Sequence, residues 1–275
     1  MLRAFRQVDV FTEVPFGGNP LAVVLDGDGL TAEEMLRFAN WTNLSETTFL
    51  LPPTTAEADY LVRIFTPSAE LPFAGHPTIG SCHAWLETGG SPRDPDLIVQ
   101  ECGAGLVRIR RDESGLAFAA PPLLRSGPVE EDLLRQLAAG LGIGLDEIVD
   151  AEWADNGPGW VALLLRDADA VLDLRPGPLP VDTGVAGLYP DGAPAAYEVR
   201  AFCPYAGTVT EDPVTGSLNA SVAQWLLRTG RVSAPYVASQ GTALGRTGRV
   251  RISADDGDVW VGGSTISRVS GTVDL

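Results

Sequence analysis

Lysine is absent from this chain: every one of its 19 basic residues is arginine. That absence excludes a Schiff-base lysine, and with it ordinary pyridoxal-phosphate catalysis, as well as the phosphate-gripping lysine of a Walker A loop. Histidine is nearly as scarce, with only His76 and His83, and the cysteines are Cys82, Cys102 and Cys203. No C-x-x-C, H-E-x-x-H or other clustered spacing of these types occurs, so no zinc or other metal site is expected. An odd, scattered set of thiols reads as small buried hydrophobes rather than disulfides. A G-x-S-x-G elbow and a G-x-G-x-x-G fingerprint are both missing, which removes the common nucleophile and dinucleotide readings. No apolar run approaches the roughly 18–20 residues that span a bilayer. The opening segment MLRAFRQVDVFTEVPF lacks an apolar stretch and a small-residue cleavage site. A cytoplasmic location is therefore expected, and the sequons at Asn40, Asn43 and Asn219 are read as chance.

What is present is an ordinary globular balance over 275 residues, 45% hydrophobic and 20% charged, enough for a large core. Acidic residues number 36, leaving a net charge of −17. Such a field repels phosphate backbones and anionic lipid, so neither nucleic acid nor a membrane surface is expected as a partner. A small anionic substrate would feel the same repulsion at long range and would have to be held by local donors.

The strings FRQVDVFT, PLAVVLD, TTFLL and ADYLVRIF carry strand patterning, and the last two read as a hairpin-like pair. Thr31 followed by Glu34 is a capping box opening an amphipathic helix to about Asn43. A second helix follows His76 and ends near Thr88-Gly89. VEEDLLRQLAAGLG is a third, and another follows Asp212 to about Arg228. The tail RVRISA, DVWVGG, STISRV and SGTVDL reads as a series of short strands with turns between. Strands outnumber helices and are grouped rather than alternating, which argues α+β.

The chain also repeats itself. Arg63-Ile64-Phe65-Thr66-Pro67 is echoed by Arg200-Ala201-Phe202-Cys203-Pro204. Each is followed by a loop and an acid–base residue before proline, His76-Pro77 and Asp212-Pro213, with glycine three positions on at Gly80 and Gly216. Both following helices reach Trp-Leu and close on Thr-Gly. We read this as a duplication. The expected halves are residues 1–117, with a C-terminal strand over 265–275 returning to them, and residues 118–264. X-Pro at a helix start puts X at or near the N-cap, so each helix start offers free N–H groups and a positive dipole end. If the halves face each other, both starts converge on one cleft.

His76 taken alone divides evenly between a structural and a catalytic reading, and His83 reads as structural. Asp212 alone is most simply an N-cap, although Thr215, Gly216 and Ser217 load its helix start with more donors than a cap requires. Spacing alone makes Glu46 a solvated loop acid.

Six strings taken in order carry more. Asp9-Val10-Phe11-Thr12, Gly18-Asn19-Pro20-Leu21-Ala22-Val23, Leu44-Ser45-Glu46-Thr47-Thr48-Phe49, Arg63-Ile64-Phe65-Thr66-Pro67, Gly75-His76-Pro77-Thr78 and Glu211-Asp212-Pro213-Val214-Thr215-Gly216-Ser217 resemble the PhzF-like phenazine-biosynthesis family. The resemblance implies a diaminopimelate-epimerase-like fold, two pseudo-symmetric halves each a sheet curled around a central helix, with the site in the cleft between them. It implies a homodimer and cofactor-free isomerisation of a dihydro-3-hydroxyanthranilate. Carried over, Glu46 takes a proton from C3 and returns one to C1, with His76 and Asp212 assisting. Asn19, Ser45, Gly75, Thr215, Gly216 and Ser217 bind the substrate carboxylic acid. A carboxylate acting first as base and then as acid needs a pKa near working pH, so apolar walls or Asp212 should raise that of Glu46. Epimerases of this fold use two cysteines, which the helix starts here lack. A racemase or epimerase with Glu46 as one base, and a non-catalytic metabolite-binding protein, stand as the alternatives.

Overall fold

Strands dominate the chain and pair in mixed directions around a few helices, giving an α+β fold. The computed structural model describes residues 1–113, 115–205 and 208–275. They form two compact units, Met1–Ala119 with Gly262–Leu275, and Ala120–Val261.

In the first unit β1 (Leu2–Val10) runs antiparallel to β2 (Asn19–Val24) and, on its other side, to β18 (Thr265–Asp274). Of the short strands expected in the tail, the last two, STISRV and SGTVDL, are one strand from Thr265 to Asp274. It stays paired along β1 and absorbs an irregularity opposite Gln7 and Val8, so no turn is needed. Helix α1 (Ala32–Thr42) has the expected capping box and ends at Asn43 in the left-handed region, φ 53°. Its buried Met35, Phe38 and Ala39 pack with Val24, Phe49 and Phe65 in an apolar cluster. That packing sets β3 (Glu46–Leu51) parallel to β2, with β4 (Tyr60–Phe65) antiparallel beyond it. After the short β5 (Glu70–Leu71) comes α2 (Gly75–Glu87). Then β6 (Leu97–Cys102) lies parallel to β4, and β7 (Gly105–Asp112) and β8 (Gly115–Ala119) follow as antiparallel neighbours. Helix α2 packs on β1, β2, β3 and β8. A Cβ at Gly80 would fall 2.6 Å from Leu21 and 2.9 Å from Val10, so only glycine lets the helix approach this closely.

In the second unit β9 (Arg125–Gly127) and α3 (Glu131–Leu141) precede β10 (Ile148–Asp155), and β11 (Val161–Leu165) and α4 (Ala168–Leu172) follow. Next come β12 (Thr183–Leu188), β13 (Tyr197–Tyr205), β14 (Thr208–Asp212) and α5 (Gly216–Arg228). The unit continues through β15 (Tyr236–Gln240) and β16 (Gly248–Asp255) into β17 (Asp258–Gly263). The loop expected after Pro204 is a hairpin on both flanks, and at Ala206 and Gly207 it lies outside the described residues. Leu137, Leu163, Val171, Val185 and Phe202 centre this unit's own core.

The duplication is visible pairing by pairing. β1 lies antiparallel to β2 and β18, and β10 lies antiparallel to β11 and β9. β2 is parallel to β3 and β11 to β12; β4 is parallel to β6 and β13 to β15. Side chains repeat as well. Arg63 forks onto Glu70 through two 2.7 Å bonds and lies over the Phe65 ring; Arg200 forks onto Glu211 at 2.9 and 2.7 Å and lies over Phe202. A buried glutamine grips each central helix. Gln100 Nε2 donates to Thr78, and Gln240 Oε1 accepts from Asn219, at the equivalent position of α5.

The helix registers correct the alignment read from sequence. Both central helices have 13 residues, so Gly75 matches Gly216 and His76 matches Ser217. The X-Pro match was five residues out of step, because the second unit spends extra residues completing β14 and the turn before its helix begins. Consequently Asp212 is not the N-cap of α5: it ends β14, and Thr215 is the cap residue. In the first unit Ala74 is the cap residue and His76 lies in the first turn.

Candidate functional site

Two groups of residues gather at the starts of the two central helices, one in each unit. In the first unit the parallel ladder sets Leu21 opposite Glu46, which brings the beginnings of β2 and β3 to one edge. Gly18 shapes the turn that delivers Asn19 there. Its N–H donates to Asp9 Oδ1 at 3.0 Å, and a Cβ would strike the Val10 carbonyl at 2.0 Å. The start of α2 is fixed from its other side, where Tyr60 donates to Gln100 and Gln100 to Thr78. Ser81 donates to Thr48 at 2.8 Å and ties the helix to β3.

His76 is held between Asn19 and Glu46. Asn19 Nδ2 lies 3.3 Å from His76 Nδ1, and His76 Nε2 lies 3.5 Å from Glu46 Oε2. The imidazole is 3% exposed, and burial pushes its pKa down to about 3. Although the second distance falls within ion-pair range, the ring is neutral at ordinary pH, so the contact is imidazole to carboxylate rather than an ion pair. An amide nitrogen can only donate, so Nδ1 is the acceptor and Nε2 carries the proton. Nε2 makes no hydrogen bond among the described residues, and the Glu46 carboxylate stands 3.5 Å from it. Glu46 itself is 15% exposed, which corrects the solvated-loop reading: it opens β3, and the parallel pairing with β2 draws it inward. Ser45 precedes it and is half-buried.

The second group surrounds α5. Thr215 donates to Asp212 Oδ2 at 2.5 Å and accepts from Gln240 Nε2 at 2.9 Å, while its N–H donates to Gln240 Oε1. Asn219 Nδ2 donates both to Gln240 Oε1 and to the Thr215 carbonyl. Trp160 donates its indole N–H to Ser217 Oγ at 3.1 Å, and Asn156 donates to the Ser217 carbonyl at 2.9 Å. Ser217 Oγ accepts from the indole and still has an O–H to donate. Gly216 and Ser217 are buried, and among the described residues no side chain caps the first turn. The N–H groups there keep their donor capacity, which suits an anion.

The structure thus brings Glu46, His76, Asn19, Gly75 and Ser45 to one helix start, and Asp212, Thr215, Gly216 and Ser217 to the other. Sequence reasoning missed Trp160, Asn156 and Gln240. Extending the repeat to the glycine turn before each second strand, Gly17-Gly18-Asn19 and Gly157-Pro158-Gly159-Trp160, would have found the first. A surface groove of about 550 Å³ lined by His83, Glu87, Arg111 and Glu113 lies elsewhere in the first unit and includes none of these residues. Thiol chemistry has little footing, since Cys82 is buried and its pKa is pushed up to about 12 by burial. Among the described residues no helix is long and apolar enough to cross a membrane, and no three acidic, histidine or cysteine side chains cluster as metal ligands would.

This duplicated α+β scaffold, with acid, imidazole and hydroxyl groups at the starts of its two central helices, is that of an isomerase by comparison with known proteins. The family described as "Phenazine biosynthesis-like protein" matches residues 8–272. The chain belongs to this family. "Antisense-enhancing sequence 1" of Schizosaccharomyces pombe is 36% identical over 98% of this chain and 97% of its own length. The protein named trans-2,3-dihydro-3-hydroxyanthranilate isomerase from Pseudomonas fluorescens is 34% identical over 87% of this chain and 86% of its own. Among solved structures, the PhzF-family protein of Bacillus anthracis superposes over 100% of both chains with a TM-score of 0.83 at 23% identity. A hydroxyproline epimerase from Agrobacterium vitis covers 99% of this chain and 91% of its own, with a TM-score of 0.59 and 14% identity. At those identities the two structures speak for the fold alone.

Proposed function

We propose that this chain is a cofactor-independent isomerase in which Glu46 moves a proton within a small cyclic, unsaturated carboxylic acid of the trans-2,3-dihydro-3-hydroxyanthranilate kind. The observation that carries the reading is the neutral His76 held between Asn19 and Glu46. A buried, neutral imidazole 3.5 Å from a carboxylate does not neutralise it, and so leaves it able to act as a base. The name of the Pseudomonas relative supports the substrate class.

In this mechanism the Glu46 carboxylate accepts the proton of the substrate C3–H bond. The bond's electron pair forms a new double bond, and the displaced π pair takes a proton at C1 from the Glu46 carboxylic acid, which regenerates the carboxylate. His76 and Asn19 hold Glu46 in position, with Ser45 and the Gly75 backbone lining the approach. The N–H groups of Gly216 and Ser217, together with the Ser217 hydroxyl, form an anion-binding group at the start of α5. Asp212 supports that helix start through Thr215.

The test is turnover of trans-2,3-dihydro-3-hydroxyanthranilate by the wild-type chain and by Glu46→Gln. The wild type should consume it and, in deuterated water, label the product at C1. Glu46→Gln should fall by roughly 10²–10⁴ in kcat, the scale of a lost general acid/base. Near-wild-type turnover by the variant would refute the role of Glu46, and an inert wild type would refute the substrate class.

A further inference from the structure

A buried hydroxyl inside a helix commonly turns its proton back to its own backbone. Thr78 of α2 donates in this way to the Ala74 carbonyl, and Ser221 of α5 to that of Leu218. Ser81 does not. It lies in the middle of α2, fully buried, and its O–H crosses to Thr48 Oγ1 on β3 at 2.8 Å. Thr48 is fully buried too, and its own proton is turned to the Ala22 carbonyl of β2, 3.5 Å away.

Thr48 stands two residues beyond Glu46, on the same face of β3. Ser81 stands five residues beyond His76 on α2. Two residues of strand advance about 6.7 Å, and five of helix about 7.5 Å. The His76–Glu46 approach at 3.5 Å and the Ser81–Thr48 bond at 2.8 Å are therefore two rungs between one helix and one strand. Gly80, next to Ser81, faces Leu21, Val10 and Val8, and such apolar contact has no preferred direction along the helix. Gln100 grips Thr78 from β6, not from the strand that carries Glu46. A hydroxyl bond, by contrast, weakens steeply once its length and angle change.

The second unit shows that the fold itself does not require this bond. With Gly75 matched to Gly216, Ser81 falls on Val222. Thr48 falls on Gly184 when the β3–β4 and β12–β13 ladders are superposed on Phe65 and Phe202. It falls on Ala186 when β2 and β11 are matched from their glycine turns. Neither register supplies a hydroxyl. Val222 and Ala186 are buried and apolar, and the missing side chain of Gly184 lets Leu218 of α5 close on the strand. A buried hydroxyl pair adds little net stability over an apolar pair of the same shape. What it adds is a fixed distance, and it occurs in the unit that holds Glu46 and His76.

We propose that Ser81 and Thr48 are positioning residues for Glu46: their bond sets where α2 stands along β3, and so holds the separation of His76 from the carboxylate. The effect on rate rests on the isomerase reading above, whereas the effect on geometry does not. A misplaced base slows the proton transfer without removing a contact to the substrate, so the loss falls on kcat.

The test compares wild type with Ser81→Ala, Thr48→Val, their double variant and Thr48→Ser, using trans-2,3-dihydro-3-hydroxyanthranilate as the probe. Thr48→Val is nearly isosteric and Ser81→Ala keeps the helix. Each should lower kcat about tenfold, short of the roughly 10² of a 1 Å misplacement, with KM within about twofold. The double variant should be no slower than the slower single one, because all three lose the same bond. Thr48→Ser empties a methyl's space but keeps the hydroxyl, so it should unfold at lower urea yet hold kcat within about twofold. The ring ¹⁵N signals of His76, read without substrate, should move in Ser81→Ala and Thr48→Val and stay in Thr48→Ser. Wild-type kcat in both hydroxyl-deleted variants overturns the proposal. Equal losses in Thr48→Ser and Thr48→Val overturn it too, because kcat would then follow packing rather than the bond. An inert wild type refutes the isomerase reading alone; the His76 signals then decide the positioning, which falls if they do not move.

Discussion

His76 should make the chain sensitive to acid by an amount that can be worked out. Its pKa is about 3 when folded, against 6.5 for the free side chain. Below pH 6.5 the unfolded chain therefore binds a proton that the folded chain refuses. Stability is unaffected by this group above about 6.5, falls as pH drops, and levels off only near 3. Between pH 7.5 and 4.5 the loss spans about two pH units of differential proton binding, or roughly 3 kcal/mol. That is a large share of the 5–15 kcal/mol typical of a folded domain. Other groups titrate over the same interval, so the measurement is a cycle: urea unfolding of wild type and His76→Gln at both pH values. The variant pays a packing cost at each pH, and that cost cancels. Wild type should lose roughly 3 kcal/mol more than His76→Gln over the interval. With only two histidines in the chain, ¹⁵N spectra should also show one ring still neutral and protonated at Nε2 at pH 5. Equal losses for the two proteins, or an imidazolium at position 76 at pH 5, would refute the neutral, Nε2-protonated assignment.

The two arginine–glutamate forks offer an internal comparison, since their geometry is alike and their burial is not. Arg200 and Glu211 are 5% and 12% exposed, whereas Arg63 and Glu70 are 26% and 42% exposed. Glu211→Gln should cost about 3 kcal/mol by stranding a buried guanidinium, and Glu70→Gln under about 1 kcal/mol; equal costs in urea unfolding would contradict the role assigned to burial. Glu46→Asp keeps the charge but withdraws the carboxylate from His76 by one methylene, so kcat should drop well below wild type with KM less affected; an unchanged kcat would count against a positioned base. Activity should survive exhaustive dialysis and a chelator, and a loss reversed by adding back a metal would overturn the cofactor-free reading.

The parts of the fold legible in the sequence were those with local causes. The Thr31–Glu34 box, the apolar stripe Met35–Phe38–Ala39 and the strand alternations announced themselves within a few residues. The duplication was legible too, but its register was not. Proline and glycine are common turn residues, so Pro77 with Gly80 and Pro213 with Gly216 aligned by type while the helices begin one residue before His76 and four after Asp212. The candidate site divides in the same way. His76 and Ser217 stood out because helix starts have signatures. Glu46 was visible only through the family resemblance, since its burial comes from the parallel pairing of β2 with β3, which no short window encodes.

The paired glutamines Gln100 and Gln240 carry a consequence for how such a protein can change. Each anchors its helix start from behind, in one case through Thr78 and in the other through Thr215 and Asn219, so the frame does not depend on the side chain at the second helical position. That position holds His76 in one unit and Ser217 in the other, an imidazole and a hydroxyl on equivalent backbones. A scaffold copied with its anchors intact leaves one position in each copy free to drift. Divergence there can alter the reaction while the architecture stays inherited, so two kinds of chemistry can descend from one ancestral half.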